Sequence, residues 1–86
     1  MSGHQMTDLA KSEFVRMLKD LYGESQDNRV NAIFYFQRGE HRGYCEGARI
    51  DPQKLRERVF EALREKGVRR EKMIKGIIEE TKSTLS

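Results

Sequence analysis

His41 and Cys45 stand four residues apart, and their side chains suit a metal ion or a thiolate nucleophile. On one face of a strand the imidazole and the thiol would point the same way. A closed metal centre needs two more ligands, and the other histidine, His4, lies near the N-terminus. A nucleophilic cysteine needs a base that a third group orients, and no local signature supplies one. Cys45 therefore reads as a small core residue. Glu40 and Glu46 flank the same stretch, and Glu79 and Glu80 sit late in the chain, none with a His or Lys placed for general acid–base work. Gly39, Gly43 and Gly47 recur every fourth residue, but without the strand–loop–helix setting of a phosphate cradle. The expectation is a protein that is not an enzyme, with no catalytic residue, metal, cofactor or small-molecule substrate.

Charge is more informative. The 86-residue chain has a net charge of +3. Residues 54–75 carry nine basic and four acidic groups, net +5, so the rest of the chain is net −2. Arg64, Lys66, Arg69, Arg70, Lys72 and Lys75 crowd around Gly67. Such a cluster neutralises phosphates and releases counterions, which gives salt-sensitive affinity for nucleic acid. The competing reading is a solvated, ion-paired face, because Glu57, Glu61 and Glu65 form an acidic row at helical spacing. The run Ala62 to Val68, followed by a second amphipathic helix, looks helix-turn-helix-like. It would present Arg69, Lys72, Lys75, Gly76 and Glu79 to a major groove, which favours DNA over RNA. Arg38 and Arg42 form a second basic pair. Tyr35 and Tyr44 beside them have rings able to stack on unpaired bases.

These residues need elements to hold them. Ala10, Phe14, Met17, Leu18 and Leu21 make one apolar stripe, so a helix is expected from about Asp8 to Tyr22, with Thr7 as its cap and Gly23 as its stop. Glu24 to Arg29 reads as a loop. Val30, Ala32, Phe34 and Phe36 then alternate with their neighbours, which predicts a strand. Arg38-Gly39-Glu40 reads as a turn, and Arg42 to Ile50 as a second, glycine-diluted strand. Asp51-Pro52 opens a helix that Gly67 ends near Lys66, with Leu55, Val59, Ala62 and Leu63 inward. A last helix from about Arg69 to Lys82 turns Ile74, Ile77, Ile78, Thr81 and Leu85 inward.

The expected fold class is α+β: a small α-β-β-α-α domain with one antiparallel β-hairpin packed against helices. Residues 1–6 read as a tail, disordered or left over from cloning, and residues 7–86 as the single domain. A lone hairpin leaves strand edges open, so completion by a homodimer is expected. Phe34, Phe36, Ile74, Ile77 and Ile78 are the candidate dimer or partner interface. One cysteine excludes an internal disulfide, and no apolar run approaches the roughly 18 residues of a membrane span, so a cytoplasmic location is expected. The function these features favour is a small nucleic-acid-binding regulatory protein that acts by occupancy. The alternative is a protein-interaction module, an inhibitor or adaptor of an enzyme or polymerase.

Overall fold

A computed structural model of the chain describes residues 2–85, with side chains described for residues 9–81. Among these residues there are five helices and no strand: α1 (Ser2–Asp20), α2 (Gln26–Gln37), α3 (Arg42–Gly47), α4 (Pro52–Leu63) and α5 (Val68–Leu85). The expected α+β class and its β-hairpin are therefore replaced by an all-helical fold. α1 already runs through the segment expected as a tail.

Both expected strands are helical for physical reasons. Ser25 is the N-cap of α2, and its hydroxyl accepts the Asn28 N–H at 3.3 Å. The polar run before Val30 is thus a helix start. At 100° per residue, a period-two apolar row is also two interleaved i,i+4 pairs. Ala32 and Phe36 turn inward together with Tyr35, while Val30 and Phe34 are 41% and 42% exposed. The expected turn at Arg38-Gly39-Glu40 is the C-terminal cap of α2. Gly39 has φ +81°, its N–H reaches the Phe36 carbonyl, and the Glu40 N–H reaches that of Tyr35. α3 follows at once, where the second strand was expected.

Four helices form a ring in the order α1, α2, α4, α5, closed by α5 against α1, and the short α3 bridges α1 and α4. The core is contributed by every helix. Phe14 and Leu18 come from α1 with Leu21 just beyond it, Ala32, Tyr35 and Phe36 from α2, and Cys45 from α3. Leu55, Val59 and Ala62 come from α4, and Ile74, Ile77 and Ile78 from α5. Most of the apolar stripes expected for the first and last two helices are buried, with Met17 and Leu63 at their margins and Ala10 half-buried outside the core cluster. Leu85 lies outside the described side chains. Asp51 caps α4 as its sequence indicates, accepting the N–H groups of Gln53 and Lys54 at 3.0 and 3.3 Å.

α4 and α5 run antiparallel. Arg58 pairs with Glu80, and Leu55 and Thr81 line the same groove further along. The corner at Gly67, φ +61°, is thus a helical hairpin, in which α5 lies along α4. No helix among the described residues is long and apolar enough to cross a membrane.

α3 ends with the same capping pattern as α2, but the left-handed position is held by Arg49, φ +60°. The Arg49 N–H reaches the Glu46 carbonyl, and the Ile50 N–H reaches that of Cys45 at 2.8 Å. A left-handed non-glycine residue costs about 1–2 kcal/mol. Glycine there gives part of this back through its greater freedom in the unfolded chain. Arg49→Gly is expected to raise unfolding stability by about 0.5–1 kcal/mol in a denaturant titration. An unchanged or lower midpoint would show that the arginine side chain stabilises more than its backbone costs.

Candidate functional site

The basic residues fall into three groups once their partners are seen. Arg70 is structural: its Nε donates to the Glu65 carbonyl at 2.9 Å and its Nη2 to the Leu63 carbonyl at 2.8 Å. It thereby caps the C-terminal end of α4, where helix carbonyls lack partners. Charged hydrogen bonds of this kind contribute about 1.5–3 kcal/mol each, so Arg70 is not free to leave them for a ligand. Arg69 and Lys75 form exposed i,i+4 pairs with Glu65 and Glu71. The Arg69 pair is worth only about 0.3–0.5 kcal/mol, so a phosphate can displace its carboxylate cheaply. Arg64, Lys66 and Lys72 are exposed and have no carboxylate partner among the described residues. The acidic row of α4 therefore neutralises only part of the corner.

Arg38 and Arg42 lie at the other end of α4, in a setting the sequence conceals. Arg38 is the C-cap of α2 and its guanidinium lies 4.9 Å from the centre of the Phe34 ring. Arg42 opens α3. Its Cδ would stand 3.3 Å from a Cβ placed on Gly39, so the Arg42 stem passes close to a residue whose φ of +81° favours glycine. Between α2, α3 and the start of α4 is a cleft of about 160 Å³ lined by Gln37, Arg38, Gly39, His41, Arg42, Pro52, Gln53 and Arg56. Arg56, from α4, is the residue that sequence reading missed.

His41 is buried at the wall of this cleft, 2% exposed. A carbonyl can only accept, so His41 Nε2–H donates to the Pro52 carbonyl at 3.0 Å. Nδ1 is then the acceptor nitrogen of a neutral ring, and it has no partner among the described residues. Burial lowers the pKa of His41 below its ordinary value, and the Arg56 and Arg42 charges lower it further, against the opposing Pro52 hydrogen bond.

The expected pair of His41 and Cys45 does not converge on a site. Cys45 is fully buried, and burial, with Asp51 and Glu46 nearby, pushes its thiol up to about 11. A thiol that stays protonated is a core group. Tyr35 is a core residue, 6% exposed and edge-on to Phe36, and Tyr44 is half-buried against the core, stacked on Phe14 at 4.5 Å. Neither ring is presented for stacking on bases. Of the candidate interface residues, Phe36, Ile74, Ile77 and Ile78 are buried within this chain, and Phe34 is the exposed one. No three His, Cys, Asp or Glu side chains gather as a metal-holding group among the described residues.

Compared with known proteins, the chain shows no match: no family model fits it, and no curated protein or solved structure is detectably similar.

The buried imidazole makes stability depend on pH. In the unfolded chain His41 takes its proton near 6.5, and in the folded chain only at lower pH. Between these values the unfolded state binds more protons, so stability falls as pH falls. Thermal midpoints are expected to be level above pH 7 and to drop below about 6.5. His41→Gln keeps a donor for the Pro52 carbonyl without titrating, and should flatten the drop. Equal slopes for both proteins would show that other groups carry the acid sensitivity.

Proposed function

We propose that this chain is a small helical nucleic-acid-binding protein of the regulatory type, acting by occupancy of its target. The observation that carries the reading is a set of cations with no carboxylate partner among the described residues. Arg64 and Lys66 lie at the corner of the α4–α5 hairpin, Lys72 follows in the second turn of α5 in a groove shared with Arg58 and Glu61, and Arg38, Arg42 and Arg56 lie toward the other end of α4. Arg56 and Arg64 are eight residues apart, a rise of about 12 Å along α4. Arg69 and Lys75 add to the first group when their exposed pairs open. Backbone phosphate is the target that such a distribution suits, and it requires no chemistry from the protein.

Tyr35 is buried and the Tyr44 ring is already stacked on Phe14, so neither is offered to unpaired bases, and this supports duplex DNA. Arg69, Lys72, Lys75, Gly76 and Glu79 all lie in solvent on α5, the face that would meet a groove. A homodimer would not serve to complete strand edges, since the described residues form helices only. A second reading, a protein-interaction module, is favoured by Val30 and Phe34, which stand exposed one turn apart on α2. A homodimer would use the same patch.

A duplex titration at two salt concentrations tests the reading. Affinity should fall steeply between about 50 and 200 mM salt. The pair Arg64→Glu and Lys72→Glu should weaken binding at least about tenfold and flatten the salt slope by about two. Lys11→Glu with Lys19→Glu makes the same charge change on exposed positions of α1 and should have a much smaller effect. Equal losses from both pairs would reduce the interaction to net charge. Absent or salt-independent binding would hand the function to a protein partner.

A further inference from the structure

We propose that the cleft between α2, α3 and the start of α4 is a binding site for a phosphate monoester, held by Arg38, Arg42 and Arg56. Eight residues line the cleft, and none is acidic. Three are arginines, two are glutamines, and one is a histidine that is neutral at pH 7. None of the three arginines has a carboxylate partner among the described residues. Three guanidinium groups around one cleft repel one another unless an anion joins them. In this protein the arrangement is not an accident of overall charge, because residues 30–53, which supply most of the lining, are net neutral.

The chemistry of the ligand follows from the number and type of donors. A carboxylate brings one negative charge and two oxygens, which leaves one arginine unmatched. A phosphate monoester brings a charge of about −1.5 to −2 and three terminal oxygens. Each guanidinium is a planar fork that meets phosphate oxygens in parallel pairs. The cleft, about 160 Å³, has room for a phosphate group.

The arginines are also positioned. Arg38 is backed by the Phe34 ring, the Arg42 stem lies on Gly39, and Arg56 rises from the first turns of α4. The site does not draw on the amides of the α4 N-terminus, because the Asp51 carboxylate already accepts those of Gln53 and Lys54. Instead, the hydrogen bond from His41 to the Pro52 carbonyl ties the start of α4 to α3 and fixes the opening. The proposal does not depend on nucleic-acid binding, since inorganic phosphate alone suffices to fill the cleft.

The test is an NMR titration of the full chain with inorganic phosphate at pH 7.5, with ionic strength held constant by sodium chloride. The resonances followed are the His41 ring and the side-chain Nε–H groups of Arg38, Arg42 and Arg56. Saturable shifts are expected at these groups, and Arg42→Gln with Arg56→Gln should weaken phosphate binding at least about tenfold. These arginines are exposed, so the variant should keep the wild-type spectrum elsewhere. No saturable shift, or the same shift in the variant, overturns the proposal. Further arms identify the source of the phosphate. A nucleoside 5′-monophosphate and a pair of oligonucleotides with and without a 5′-phosphate are compared at the same groups. A gain from the 5′-phosphate assigns the cleft to a nucleic-acid end. Phosphate and nucleotide binding without oligonucleotide binding keeps the cleft and removes the nucleic-acid reading. Oligonucleotide binding that leaves the cleft resonances unmoved removes the cleft and keeps the nucleic-acid reading.

Discussion

Phe14 joins three helices through one ring. It projects from α1, stacks on Tyr44 of α3 at 4.5 Å and meets Phe36 of α2 edge-on at 6.1 Å. Phe36 in turn lies 5.0 Å from Tyr35 and 5.3 Å from His41. Rings in these geometries gain about 0.5–1.5 kcal/mol per pair beyond the area they bury. A chain this small buries a modest core, so a cluster of five rings is a large share of what holds it together. The short α3, with two glycines in six residues, has little propensity of its own. It is helical because Tyr44 and Cys45 pack into the core and its C-terminal end is capped by the N–H groups of Arg49 and Ile50.

The same cluster places the charged groups. Phe36 fixes the last turn of α2, so Arg38 leaves the helix at a defined point. Tyr44 fixes α3, so Arg42 begins it on the same side. His41 joins the apolar cluster to α4 by its hydrogen bond to Pro52, and Arg56 follows one turn later. Burial, with the Arg56 and Arg42 charges nearby, favours the neutral form of this imidazole. Ring packing inside the molecule and arginine spacing at its surface are thus one constraint. The α4–α5 corner depends on a different device, the Arg70 side chain that closes α4.

Much of the helical framework was legible in the sequence. The stripes of α1, α4 and α5 repeat at i, i+3 and i+4, and Asp51-Pro52 and Gly67 mark real boundaries. The segment from Val30 to Ile50 was not legible, because its apolar pattern fits either period. Val30, Ala32, Phe34 and Phe36 alternate, yet Ala32, Tyr35 and Phe36 also make a helical stripe. Only the partners, Phe14 above all, decide between them, and they come from a distant part of the chain. The same holds for the site. Arg38 and Arg42 were visible as a basic pair, but Arg56 is fourteen residues away from Arg42 and reaches them only through the fold. The capping role of Arg70 was hidden as well, because a cation near a helix end serves equally well as a cap or as a phosphate contact.

The central claim is that residues 30–37 form a helix whose inner face meets Phe14. Backbone carbon chemical shifts over this segment, together with ring-to-ring nuclear Overhauser effects, address it most directly. Consecutive helical shifts from Val30 to Gln37, with contacts from Phe14 to both Phe36 and Tyr44, are the predicted result. Strand-type shifts over the same residues, or cross-strand contacts between residues 30–37 and 42–50, would contradict it and dissolve the arginine cleft with it.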